Sequence, residues 1–371
     1  MPWADPGPRP MLMTALNAAQ TAHVAFDRAR TRAPARVGYI GGHGGGNLGD
    51  DLMLGLARRL FPDRRLVDCA ESWHERRLAR LGLSGPRYFD HVLLGGGTLI
   101  SPFWYGKVEA AIGQGLPVSS LGSGAGSCGF IQPDGVDLSA WAPLLKRFAN
   151  LGVRGPRSLA TLRRLGVEHA EVVGDLALAL TRDAPHPADA TPTIAVNLSL
   201  PAPNEPQGDE AVRFDELLEA LRPLTRRGWA VRPYAMNPAD LAPTRGFVER
   251  LCGRGVPVPH LDSVAGFMDY VGPSTLNVTV RLHGAILGCC AGVPPVMLGY
   301  RDKCLDFAES IGMADACVYL PAARTGEVTL AVGRGLETAE ADRRRVLARC
   351  GALRDRLMSY VRRVGGGGET P

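Results

Sequence analysis

Residues 36–61, RVGYIGGHGGGNLGDDLMLGLARRLF, set the architecture. RVGYI is a short apolar run of strand length, GGHGGGN is a glycine loop, and DDLMLGLARRLF repeats its apolar residues at helical spacing. The pattern then recurs. RRLVDC predicts a second strand, HVLLGGG a third that again runs into glycines, and LPVSSLGSGAG a fourth with the same ending. Strands that end in glycine turns and lead into helices predict βα units in a parallel sheet. NLGVRGPRSLATLRRLG adds a strand and a helix, and AEVVGDLALAL follows. TRDAPHPADATPT, residues 181–193, is polar and rich in Pro and Ala, and reads as a linker. After it the alternation restarts with TIAVNLSL, FDELLEALRPLTRRG, WAVRPYAM, PTRGFVERLCGRG, LNVTV, a helix after RLHG, and VPPVMLGY. Two consecutive parallel α/β domains are expected, over 35–182 and 193–328. An extension over 1–34, with a helical pattern around Met11–Arg30, precedes them. An amphipathic helix over 336–364 and a disordered end over 365–371 follow.

Composition narrows the function classes. Apolar residues make up 45% and charged residues 21%, as in a soluble globular protein. No apolar run reaches about 18 residues, and the N-terminus lacks a basic stretch followed by an apolar core, so a cytoplasmic location is expected. Eight cysteines are scattered without a C-x-x-C pair, which favours reduced buried thiols over zinc or disulfides. The formal charge of +5 carries no Lys/Arg block interleaved with aromatics, so nucleic acid is not an expected partner. The lysines are Lys107, Lys146 and Lys303; all other cationic side chains are arginine, which suits carboxylate and phosphate ligands but also follows from genome composition.

Ligands of open parallel sheets bind beyond the carboxyl ends of the strands. There the first domain offers Gly42–Asp51, Gly95–Thr98, Gly122–Gly126 and Arg154; the second offers Arg281–Gly284 and Tyr300–Lys303. Gly44, Gly46 and Gly49 match G-x-G-x-x-G, with Asp68 downstream. Asp50 and Asp51 speak against a dinucleotide, because they satisfy the helix N-terminus themselves and repel a pyrophosphate. The glycine count still exceeds what a turn needs, and predicts close approach of a ligand to backbone amides. In TVRLHGAILGCCAGVPPV, 279–296, extended geometry puts Arg281 and His283 on one face with Leu282 turned into the core. Beside a helix N-terminus, such a pair suits an anion that also needs a proton moved. The alternative is a buried histidine bonded to backbone with the arginine paired to a carboxylate, and spacing alone does not decide. Cys289 and Cys290 point about 100° apart around the helix and read as packing residues.

NLGDDLML, DHVLLGGGTL, VRGPRSLATLRRLGV followed by VVGDLAL, and above all VRLHGAILGCCAGVPPVMLGYRDKCLDFAESIG together resemble the polysaccharide pyruvyl transferase family, from about Tyr39 to Met313. The resemblance implies a GT-B-like α/β fold, two Rossmann-like parallel-sheet domains facing across a cleft. It implies transfer of the pyruvyl group of phosphoenolpyruvate to sugar hydroxyls, usually as a cyclic ketal. Catalytic roles fall on Arg281 and His283, and donor binding on Arg154. Asn47, Gly49, Asp50, Gly95, Gly96, Gly97, Ser158, Tyr300 and Lys303 are expected to bind substrate. Phosphoenolpyruvate is the donor, no further cofactor or metal is required because the arginines supply positive charge, and a glycan or lipid-linked sugar is the acceptor. The chain departs from the family pattern at Gly155, where an acidic residue is common, at Asp51 in place of Glu, and at Leu176 in place of Pro, which leaves the acceptor undetermined. A GT-B glycosyltransferase using a nucleotide sugar and a non-catalytic ligand-binding descendant are the competing readings. The basic face of the C-terminal helix reads first as the solvated side of a packed helix, and second as a contact for an anionic membrane or a lipid-linked substrate.

Overall fold

The computed structural model describes residues 36–69, 89–126, 136–200 and 210–366. The first seven strands form one sheet: β1 (Arg36–Ile40), β2 (Arg65–Asp68), β3 (His91–Leu94), β4 (Gly97–Ile100), β5 (Val118–Ala125), β6 (Asn150–Val153) and β7 (Glu171–Val172). Their order is β2-β1-β3-β5-β6-β7 with β4 also paired to β5, and every pairing is parallel. The second sheet holds β8 (Thr193–Asn197), β9 (Ala230–Pro233), β10 (Leu276–Thr279), β11 (Pro295–Gly299) and β12 (Cys317–Tyr319) in the order β12-β11-β10-β8-β9, again all parallel. Both β10 and β11 are buried at every position, as strands covered on both faces must be. β4 and β12 are four and three residues long, too short to show a period in the sequence.

Each sheet reverses its strand order beside its first strand, between β1 and β3 and between β8 and β10. A crevice opens at the carboxyl ends of the strands at such a reversal. The two halves turn these crevices toward one another, so the cleft between them is floored by the turns after β1, β3, β10 and β11.

The loop after β1 shows what the glycines and Asp50–Asp51 do. Asn47 caps the helix Leu48–Leu60 by accepting from the Gly49 amide, and its Nδ2 donates to Asp50 at 2.6 Å. Asp51 Oδ1 accepts from the amides of Gly44 and Gly45. Amides that a pyrophosphate would use are thus satisfied by a carboxylate of the same chain. Asp68 accepts or shares a proton with His43 at 2.6 Å.

Residues 181–192 form no helix or strand and join the halves. The last helix, Glu327–Gly365, begins nine residues before the expected 336. Gly335 disguises this start, yet a Cβ there would lie 3.0 Å from Leu276, so the glycine lets the helix lie close on the second sheet. The helix then crosses to the first half. Tyr360 donates to the Ser120 carbonyl at 2.7 Å, Arg354 to the Thr181 carbonyl at 2.9 Å, and Arg363 pairs with Glu171. It is a strap across both halves, with Val328, Ala331 and Val332 buried near its start and Leu353, Leu357, Val361 and Val364 near its end. One apolar cluster runs continuously from Leu52 and Met53 through Leu176–Leu178 to Leu282 and Leu353. The helical pattern around Met11–Arg30 and the tail 367–371 lie outside the described residues. Among the described residues no helix is long and apolar enough to cross a membrane.

His91, at the start of β3, titrates against folding. Burial, reinforced by the Arg64 charge, pushes its pKa down from 6.5 to about 4, and its Nε2 has no hydrogen-bond partner among the described residues. Between those values the unfolded chain binds a proton that the folded chain refuses, so stability falls as pH is lowered through this window. Thermal melts from pH 7 to pH 4 should show a falling Tm, with a shallower slope for His91→Gln.

Candidate active site

The turn after β10 is set by a buried polar network. Asn277 Nδ2 donates to the Gly284 carbonyl at 2.8 Å while its Oδ1 accepts from Tyr234. Thr279 Oγ1 accepts from the Arg281 amide and donates to Asn197. A Cβ on Gly284 would lie 2.5 Å from Thr279 Oγ1, so the motif needs glycine here. The helix starts at Leu282, two residues earlier than expected, and Arg281 is its N-cap. Strand alternation therefore does not place Arg281 and His283 together. The strand-to-helix turn does, and Leu282 borders the cleft while packing, as expected, in the apolar core.

Arg281 is paired, as the alternative reading of the sequence had it. Its Nε and Nη2 reach Asp240 Oδ1 at 3.0 and 2.6 Å, and Asp240 is fully buried, held by Asn197 and the Met236 amide. Burial alone would lower the pKa of the guanidinium, but the Asp240 bond and charge outweigh it and raise it. Arg281 nonetheless lines the cleft.

His283 lies between the halves and is 7% exposed. A Cβ on Gly49 would fall 2.1 Å from its Nδ1, so the N-terminus of the helix Leu48–Leu60 presses directly on the ring. On the other side His283 Nε2 stands 3.8 Å from Asp175 Oδ1. Asp175 is fully buried and caps the next turn through the Ala177 amide. Burial raises its pKa, but nearby His283, the Arg154 charge and the Ala177 amide more than reverse this, so the carboxyl sits below its usual value. Asp175 Oδ2 and His283 Nε2 have no hydrogen-bond partner among the described residues. Gly49→Ala should cost about 1–3 kcal/mol by overpacking this contact, whereas Gly55→Ala on the same helix, with open space at its Cβ position, should be neutral or slightly stabilising. Urea unfolding of the two variants checks the contrast.

The cleft has a volume of about 260 Å³. Of the residues expected to bind substrate, Asn47, Asp50, Gly96, Gly97, Tyr300 and Lys303 line it together with Arg281 and His283. Gly49 and Gly95 do not: their missing side chains make room for His283 and for the Tyr39 hydroxyl, which would lie 2.0 Å from a Cβ on Gly95. Arg154 and Ser158 are buried apart from the lining, at 1% and 2% exposure. Asp306, from the second half, accepts from the Arg157 and Ser158 amides and from Ser158 Oγ at 2.6 Å, and its Oδ2 lies 3.6 Å from Arg154 Nε. It caps the helix Pro156–Arg164 from across the interface. Gly155 leaves the space, since a Cβ there would lie 2.2 Å from Asp306 Oδ1. Arg154 Nε and Nη1 have no hydrogen-bond partner among the described residues.

Sequence reasoning passed over Trp104 and Leu99 in the lining and gave no role to the carboxylates Asp175, Asp240 and Asp306 behind it. Asp175 and Asp306 carried a signal, lying in VVGDLAL and in YRDKCLDFAESIG.

A family model described as polysaccharide pyruvyl transferase matches residues 47–302. The chain belongs to the polysaccharide pyruvyl transferase family. The match spans every residue singled out for the site except Lys303, and membership makes the protein a transferase. Solved structures similar to this pyruvyl transferase family member agree on the fold. A Listeria monocytogenes protein assigned as a UDP-N-acetylglucosamine 2-epimerase has a TM-score of 0.57 at 12% identity, covering 91% of this chain and 98% of its own. Anabaena HepE in complex with UDP-glucose gives 0.53 at 11%, covering 90% and 98%. A UDP-glucosyltransferase from Polygonum tinctorium gives 0.51 at 13%, covering 91% and 99%. At such identities the likeness shows the GT-B-like fold alone. No curated protein sequence matches the chain.

Proposed function

We propose that the protein moves the pyruvyl group of phosphoenolpyruvate onto hydroxyls of a glycan or lipid-linked sugar, closing a ketal and releasing phosphate. The observation that carries this reading is the meeting of His283, backed by buried Asp175, with cationic Arg281, Arg301 and Lys303 at one inter-domain cleft of a pyruvyl transferase family member. Phosphoenolpyruvate must be protonated at C3 before C2 accepts a nucleophile. His283, with Asp175 3.8 Å behind it, delivers that proton as general acid. The first sugar hydroxyl adds at C2 and gives up its proton, the C–O bond to phosphate breaks, and a second hydroxyl adds at C2 with loss of its proton. Arg281 holds the donor's anionic groups while Asp240 fixes its plane, and Lys303 and Arg301 stabilise the departing phosphate. Arg154, buried beside Asp175 and Asp306, contributes positive potential from behind the site.

Arg281→Lys keeps the charge but not the fork that Asp240 grips. Phosphoenolpyruvate affinity should fall about tenfold by calorimetry; an unchanged affinity contradicts the clamp. The second reading, sugar transfer from a nucleotide donor, is favoured by the fold likeness to HepE with UDP-glucose. A thermal-shift comparison separates the two: phosphoenolpyruvate should stabilise the protein, and stabilisation by UDP-sugars without any by phosphoenolpyruvate selects the second.

A further inference from the structure

We propose that the turn Pro102–Trp104 and the start of the helix Tyr105–Gly113 form an acceptor subsite that seats a sugar ring on Phe103 and Trp104 and a phosphate attached to that sugar on Lys107. The proposal rests on the cleft being the site of transfer and assigns the surface that adjoins it at Trp104.

Phe103 is 72% exposed. An isolated exposed apolar side chain is ordinary, but this one stands against a second aromatic ring. Its ring meets Trp104 edge-on, with centroids 4.9 Å apart and planes 83° apart, and Trp104 lines the cleft while packing near Gly42. An aromatic side chain, with only two rotatable bonds, offers a face at little cost in conformational freedom. Aromatic faces carry negative quadrupole density, which matches the polarised C–H bonds on one face of a pyranose.

Charge supplies the second half of the argument. The chain has three lysines, and two stand at the cleft's aromatic rings: Lys107 Nζ is 5.2 Å from the Trp104 centroid and Lys303 Nζ is 5.0 Å from that of Tyr300. Neither forms an ion pair among the described residues, while Arg281 shares its Nε and Nη2 with Asp240. Lysine is a compact point charge on a flexible stem that reaches phosphate without a fixed approach angle. Lys303 lines the cleft with Arg281 and His283, whereas Lys107 stands outside that lining, over the Trp104 ring. The anion it meets therefore belongs to the sugar and not to the donor.

The test is calorimetric titration of the full chain with glucose, galactose and mannose, each free and as its 1-phosphate, and with UDP-glucose, repeated on Phe103→Ser and Lys107→Gln. Phe103 is exposed in the turn and Lys107 is half-buried in the first turn of the helix Tyr105–Gly113, neither in the apolar core, so circular dichroism and melting should match the wild type. At least one hexose 1-phosphate should bind the wild type about tenfold or more tightly than its free hexose. Lys107→Gln should remove most of that difference, and Phe103→Ser should weaken free and phosphorylated sugar together. The UDP-glucose arm separates a phosphate carried by the sugar alone from one carried on a nucleotide. Wild-type binding that ignores the phosphate, binding by UDP-glucose alone, or variants that bind as the wild type does would each overturn the subsite. Stabilisation by phosphoenolpyruvate should survive in both variants. Its absence in the wild type, with sugar phosphate binding retained, would overturn the donor reading and leave the subsite standing.

Discussion

His283→Ala is expected to lower turnover by roughly 10²–10⁴ while changing phosphoenolpyruvate affinity far less. The ring is wedged between the Gly49 helix and Asp175 and is nearly buried, so it has one orientation. Its proton goes to C3 only in the transition state, which is why the loss should appear in kcat rather than KM. Asp175→Asn separates chemistry from packing. It keeps the shape and the bond from the Ala177 amide but removes the negative charge beside the ring. Asp175→Asn should therefore lower kcat with phosphoenolpyruvate affinity little changed. A His283→Ala protein that folds and turns over normally would remove His283 from the reaction.

Asp306→Ala is expected to destabilise the protein by about 3–5 kcal/mol. Asp306 is buried at 2% exposure, satisfies two amides and the Ser158 hydroxyl at the start of the helix Pro156–Arg164, and stands beside the buried Arg154 guanidinium. Removing it leaves those donors and the Arg154 charge without their carboxylate. Asp306→Asn retains an acceptor for the amides and should cost less. Urea unfolding followed by circular dichroism measures both. Because Asp306 lies three residues beyond Lys303, its loss should also reduce activity by loosening the second half's hold on the first. A neutral Asp306→Ala would show that this carboxylate does not tie the halves together.

The parallel α/β halves were legible because their strands are buried on both faces, with RVGYI and TIAVN reading as apolar runs bounded by turns. The RLHG turn was legible as chemistry, since Arg281 and His283 do reach one cleft. What held them there was not legible. Arg281 meets Asp240 across 41 residues, and Ser158 meets Asp306 across 148, and no local period encodes such pairs. The glycine loops carry a sharper lesson. Their density suggests ligand approach, yet Gly49, Gly95 and Gly155 are glycine because His283, the Tyr39 hydroxyl and Asp306 occupy the space a Cβ would take. Glycine in a βα turn marks close approach; whether to a ligand or to another part of the chain is decided only in three dimensions. The C-terminal helix likewise showed its amphipathic face but not its use as a strap over both halves.

The most direct test of the account is to incubate the protein in D₂O with phosphoenolpyruvate and a panel of glycans and sugar phosphates, following phosphate release and the proton spectrum of the product. The account predicts acceptor-dependent phosphate release and a new ketal methyl group carrying one deuterium, delivered to C3 by the exchanged His283. Release of UDP from a nucleotide sugar under the same conditions, with phosphoenolpyruvate left intact, would contradict it.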